Sequence, residues 1–151
     1  MNAINVISVI LAVGVLFLMS GCSAGDRISG VITLQNRTVY SNQQISIQVD
    51  LSYNDALKRD EIQEYSINVL VNGNHLWIQK NGQTIGRDNA EVISFGKGRT
   101  NHVLNYTIQA TTVSGNEYVE TVVVFISTIK GVVKTLTSEF ITIKAPPVGR
   151  G

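Results

Sequence analysis

Cysteine is nearly missing from this chain: its 151 residues hold one, Cys22, so no internal disulfide can form. Proline is almost as scarce, and its two copies stand together at Pro146 and Pro147, which leaves the rest of the sequence free of obligatory helix or strand breaks. Charge is low as well. Only 15% of residues are Asp, Glu, Lys or Arg, the formal net charge is +1, and the two signs are interspersed, so no long-range attraction for nucleic acid is expected. With two histidines and one thiol, the stock of metal ligands and nucleophiles is small. No apolar run reaches the ~20 residues that a membrane-crossing helix needs. What remains is a 44% hydrophobic composition in one domain's length of chain. A domain of this size buries roughly two thirds of the surface its unfolded chain exposes, enough for a stable core without staples.

The uneven distribution of charge gives the first positive signal. Every Lys, Arg, Asp and Glu lies at Asp26 or beyond, and Val6 to Leu18 is a run of 13 apolar or small residues. That length suits the core of an export signal and is too short to span a bilayer. Small residues then lead into the sole cysteine through Met19-Ser20-Gly21-Cys22. This stretch resembles the lipobox of bacterial lipoproteins, with Met19 where leucine is usual. The resemblance implies cleavage before Cys22 and lipidation of its thiol and new amine, giving a signal peptide over 1–21 and an anchored, palmitate-bearing N-terminus and tether over 22–28. Ser23 in place of aspartate implies the outer membrane where there is one. The other reading leaves Cys22 an ordinary small residue at the end of an uncleaved anchor. An unpaired thiol in an exported protein would be unusual, and lipidation removes that oddity.

The mature region is patterned for strands. In QISIQVDLSY, Ile45, Ile47, Val49, Leu51 and Tyr53 alternate with Ser46, Gln48, Asp50 and Ser52. YSINVLV and LNYTIQA repeat this period of two, the mark of half-buried strands. Turn signals stand between the runs: Asn72-Gly73, Asn81-Gly82, Ser114-Gly115-Asn116 and Lys130-Gly131. Each predicts an antiparallel hairpin. YVETVVVFIST differs, because Val119, Val123 and Phe125 alternate with Val122, Val124 and Ile126, so both faces are apolar. Such a strand is central and covered twice, or lies at an interface. No window of ten mature residues carries a helical stripe. One or two helical turns are expected at most, over residues 54–64, where Asn54 can cap.

Seven to nine short strands with frequent turns predict an all-β fold, a single antiparallel β-sandwich over 29–144, followed by a loose tail over 145–151. NYTIQATTVSGNEYVETVVVFI resembles the F to G hairpin of bacterial immunoglobulin-like domains, which implies a tyrosine-corner role for Tyr106.

Candidate sites are few. His75 follows a turn and His102 opens a strand; neither belongs to a spaced ligand set, so no metal or cofactor is expected. No nucleophile elbow is present, and catalysis is not expected. Asp55, Asp60, Glu61 and Glu64 lie among Lys58 and Arg59 in a run read as a solvated connection rather than a calcium loop. Lys97 and Arg99, between glycines in FGKGRTNH, read as a flexible turn or as contacts to anionic head groups or an acidic partner. Trp77 has apolar neighbours on both sides, and burial is the expected placement. The sequence therefore points to a non-catalytic binding or assembly module of the bacterial envelope, held to the membrane through Cys22 and serving an envelope protein partner. A glycan- or small-ligand-binding lipoprotein is the alternative, which a groove lined by an exposed Trp77 would favour. A hydrolase would require His75 or His102 beside both a hydroxyl and a carboxylate.

Overall fold

The computed structural model describes residues 27–54, 62–96 and 100–148. All its elements are strands: β1 (Ile28–Leu34), β2 (Thr38–Tyr40), β3 (Gln44–Tyr53), β4 (Gln63–Asn72), β5 (Leu76–Lys80), β6 (Gln83–Ile85), β7 (Glu91–Phe95), β8 (Asn101–Ala110), β9 (Tyr118–Thr128), β10 (Gly131–Thr137) and β11 (Ile141–Lys144). They form two layers. Sheet 1 runs β1-β3-β8-β5-β6, and sheet 2 runs β2-β11-β9-β4-β7 with β10 beside β9. Among the described residues every pairing is antiparallel except that of β2 with β11; β1 lies at the edge of sheet 1 and β2 at the edge of sheet 2.

The alternation in the sequence carries into the core. Ile45, Ile47, Val49, Leu51 and Tyr53 of β3 face inward and are buried, and Leu104, Tyr106, Ile108 and Ala110 of β8 pack beside them. Tyr65, Ile67 and Val69 of β4 and Val122, Val124 and Ile126 of β9 supply the opposing layer. Removing such aliphatic side chains from water contributes about 1.5–3 kcal/mol each. At one end Tyr53 from sheet 1 stacks on Phe95 from sheet 2 at 5.5 Å, and Tyr65 meets the edge of Phe95 at 6.0 Å.

Two of the four turn signals close hairpins. Asn81 and Gly82 take φ of +52° and +77° between β5 and β6, with Lys80 opposite Gln83. Ile129 and Lys130 join β9 to β10. The other two do not: Asn72-Gly73 carries the chain from β4 in sheet 2 to β5 in sheet 1, and Ser114-Gly115-Asn116 carries it from β8 in sheet 1 to β9 in sheet 2. The stretch expected as an F to G hairpin is therefore a crossing between layers. A glycine at positive φ reverses the chain; it does not choose the strand's partner.

The doubly apolar strand is explained by its flanks. β9 lies between β4 and β10, so outward-facing Val123 sits between Leu70 and Thr137, and Phe125 between Asn68 and Thr135. Its second apolar face is half-covered by lateral neighbours rather than by a third layer.

Candidate functional site

The site is built from the crossing between β4 and β5. Gly73 has φ of +152°, and a Cβ placed there would overlap the Glu120 carboxylate from β9. Glu120 is 5% exposed. Its Oε1 accepts the backbone N–H of Asn74 at 2.9 Å and of His75 at 2.8 Å, and His75 Nδ1 lies 2.6 Å away. The His75 ring also stacks on Tyr118 at 3.8 Å. A buried carboxylate thus clasps the turn through two backbone donors and a side chain, fixing where β5 begins. Its other oxygen, Oε2, is buried and has no hydrogen-bond partner among the described residues.

From that fixed start β5 alternates. Leu76 and Ile78 point into the core, and Trp77 and Gln79 point outward. Trp77 is 51% exposed, which corrects the expectation of burial. Both neighbours in sequence are apolar, so alternation could not assign it; the clasp at Glu120 sets the register that sends Leu76 in and Trp77 out. Beside Trp77 in the same row stand Gln109 of β8 and Gln44 of β3. Gln44 Nε2 donates to Gln109 Oε1 at 2.7 Å and to Gln79 Oε1 at 3.3 Å. The rows beyond hold Ser46 and Thr107, then Gln48 and Asn105. Among the outward residues of β1, β3, β5 and β8 the one charge is Asp50, which accepts from Gln48 Nε2 at 2.8 Å. The outer face of sheet 1 is thus amides and hydroxyls around one indole at the Gln44 end, with exposed Val31 and Val103 flanking Asp50 toward the other end.

Two hollows lie along β5, and the indole borders one of them. A depression of about 460 Å³, which Trp77 does not reach, is lined by Ser46, Gln79, Asn105 and Thr107 together with Lys80 and Tyr106, where short β5 ends and leaves β8 uncovered. A cleft of about 240 Å³ between β4 and β5, which Trp77 borders, is walled by Val69, Val71, Leu76 and Ile85. Neutral donors and acceptors around an exposed aromatic ring can hydrogen-bond hydroxyls while the ring covers an apolar face.

Behind this face Tyr106 spans the sandwich. Its hydroxyl donates to Glu91 Oε2 of β7 at 3.2 Å; Lys80 pairs with the same carboxylate and lies 5.1 Å from the Tyr106 ring centre. The expected tyrosine corner is therefore replaced by a bond to a carboxylate across the sheets. Burial, then the Glu91 charge and hydrogen bond, holds the Tyr106 hydroxyl above its ordinary range. Burial likewise, followed by neighbouring Tyr53 and opposed by Arg27, pushes Tyr65 up to about 12. Both phenols bind their protons more tightly folded than unfolded, where they titrate near ~10. Their contribution to stability is complete below about pH 10 and declines as pH rises toward 12. Thermal scans should show the midpoint falling above about pH 10, with tyrosinate absorbance growing together with unfolding. A rise in tyrosinate near pH 10 for both residues in a folded chain would contradict this.

The remaining sequence candidates are placed as follows. His75 is engaged by Glu120 rather than standing free at the surface, and His102, half-buried, meets the edge of Phe95 at 6.2 Å. Among the described residues no Ser or Thr hydroxyl hydrogen-bonds either ring, and no group of three acidic, His or Cys side chains is arranged for a metal. Cys22, Lys97, Arg99 and the charged run Asp55 to Glu61 lie outside the described residues. Sequence reading passed over Glu120, although a signal was present. In YVETVVVFI it shares a face with Val122, Val124 and Ile126, and a lone carboxylate on a core face must be held by donors.

No protein-family model matches this sequence, and no curated protein matches it. Among solved structures the chain is similar to an alkylpurine DNA glycosylase from Pseudomonas fluorescens, with a TM-score of 0.47 and 8% identity over 79% of this chain and 31% of that one. It is also similar to a FixG-related protein from Vibrio parahaemolyticus (TM-score 0.45, 14% identity, 77% and 95% covered) and to a lipoprotein from Bacteroides thetaiotaomicron (0.40, 14%, 76% and 78%). The chain spans about a third of the first of these. Likenesses this remote do not say what it binds.

Proposed function

We propose that this chain is a lipid-anchored, non-catalytic binding module of the bacterial cell envelope that holds an uncharged, polyhydroxylated ligand, a glycan, on the outer face of sheet 1. The observation that carries this reading is the half-exposed Trp77 set in a row of Gln44 and Gln109, on a face where Asp50 is the one charge. An ion would gain little from that surface, whereas sugar hydroxyls match its amides and the C–H face of a pyranose matches the indole. The envelope address rests on Cys22 in its lipobox-like setting; with Ser23 following, the outer membrane is the proposed destination. Intact mass of the membrane-extracted chain beside Cys22→Ser tests it, a chain still starting at Met1 without acyl mass being the adverse result.

Trp77 is the sole tryptophan, so its fluorescence reads the site directly. Titrating neutral oligosaccharides (maltohexaose, cellohexaose, chitohexaose) should shift its emission saturably. Trp77→Ala should weaken binding measured by calorimetry by about 2 kcal/mol, roughly 30-fold in Kd. Gln109→Ala should cost about 1 kcal/mol. An unshifted emission across such a panel, or a Trp77→Ala chain that binds as well as the parent, would defeat the proposal.

A second reading, assembly with an envelope protein, is favoured by the outer face of sheet 2. There Val92 and Val132 are 65% and 59% exposed beside half-buried Leu70 and Phe125.

A further inference from the structure

The end of the sandwich where the chain enters β1 carries exposed apolar side chains. Strand register gathers the elements there. Ile28 lies opposite Tyr53, Ser52 opposite Asn101, and Gln63 opposite Phe95, while the Tyr53, Tyr65 and Phe95 rings tie the two sheets together. Because Ser66 pairs with Ser127, the β9–β10 turn projects from this same end. At its tip Ile129 is fully exposed, next to exposed Lys130, and Ile62 ahead of β4 is 56% exposed.

A β-branched residue is a poor choice for a two-residue turn, where Gly, Asn and Asp adopt the backbone readily. Turn geometry therefore gives no reason for isoleucine at 129. A scattered exposed apolar residue is ordinary, and Ile129 alone would mean little. The position of the tether gives it meaning. Five residues, Ser23 to Arg27, separate Cys22 from β1, and the six extended steps from Cys22 to Ile28 reach roughly 20 Å. β3 runs the length of the sheet over ten residues, roughly 30 Å. A lipid on Cys22 therefore keeps the Ile129 end close to the bilayer and holds the opposite end off it.

We infer that this end of the domain rests on the membrane, with Ile129 in the interfacial layer of the lipid and Lys130 among anionic head groups. An apolar tip next to a cation partitions into that layer, and here the tip carries Lys130 on one side while exposed Glu64 lines the hollow beneath Ile129. The inference rests on the lipid anchor proposed above. It also places Trp77, in the row of Gln44 and Gln109 at the far end of the sheet, away from the bilayer and open to solvent.

The test uses the full, lipidated chain in vesicles of phosphatidylethanolamine and phosphatidylglycerol at about 3:1. With Cys22 blocked by lipid, Ile129→Cys supplies a single free thiol for an environment-sensitive fluorophore. Asn116→Cys, exposed in the β8–β9 crossing at the opposite end, is the reference. Nitroxides placed shallowly in the acyl region should quench the label at 129 at least roughly threefold more than the label at 116. Exchanging phosphatidylglycerol for phosphatidylcholine should reduce that difference. Equal quenching at the two positions in a preparation whose intact mass shows the lipid overturns the membrane contact alone. A mass without diacylglycerol and acyl groups overturns the anchor, and this inference with it.

Discussion

Truncating Phe95 to alanine should destabilise the domain by about 3–5 kcal/mol, among the largest effects of any single change in this chain. The ring is 1% exposed, at the end of β7, and it is the hub of the cluster joining the two sheets: Tyr53 stacks on it, Tyr65 meets its edge, and His102 lies 6.2 Å away. Its removal takes away an apolar side chain and leaves a void between rigid rings that backbone movement cannot readily fill. The thermal midpoint should fall by roughly 10–20 °C, and the urea midpoint should drop with an unchanged slope. Phe140 is the built-in reference, because it is 71% exposed and its truncation should stay within about 0.5 kcal/mol. Similar losses at both positions would show that the aromatic cluster does not join the layers.

The second large effect is expected at the clasp. Gly73→Ala places a Cβ against the Glu120 carboxylate at a φ that L-residues rarely adopt, and should cost about 2–4 kcal/mol. Glu120→Ala should cost a similar amount for a different reason, since the N–H groups of Asn74 and His75 lose their acceptor. Combined, the two should cost less than their sum by about 1–2 kcal/mol, because the alanine at 73 then occupies space the carboxylate has left. Glu120→Gln keeps an acceptor oxygen for both backbone donors and should be milder than either. Trp77 begins four residues after Gly73 and reports on the same turn. Its emission should redden in Gly73→Ala and Glu120→Ala while the chain is still folded. Strict additivity of the pair, or a wild-type emission in both single variants, would remove the clasp from the account of how Trp77 is placed.

The sequence anticipates neither site in full. Phe95 opens FGKGRTNH, read as a turn, and the structure buries it as the last residue of β7. Glu120 carries a local sign of burial but none of its partner. It is separated from His75 by 45 residues, and no local pattern links a carboxylate in one strand to a turn that far away. The turn signals show the same division. Asn81-Gly82 and Lys130-Gly131 make hairpins, whereas Asn72-Gly73 and Ser114-Gly115-Asn116 send the chain across to the other sheet. Backbone preference near a glycine is a local property, visible in the residues themselves. Which strand lies alongside next depends on where the apolar faces can all be covered together.

What the sequence by itself determined is the class of fold and the identity of the core faces in β3, β4 and β8, because an alternation of period two leaves a strand one way to bury its apolar side. It also marked β9 as apolar on both faces, but not that its second face would be only half-covered, by its lateral neighbours. Only the tertiary structure decided the strand order, the step from β1 in one sheet to β2 in the other, and the placement of Trp77. Between apolar neighbours on both sides an indole has no local reason to point in or out. A buried carboxylate on a distant strand, holding the turn that starts β5, supplies that reason. The ring then joins glutamines from three strands that no stretch of sequence brings together.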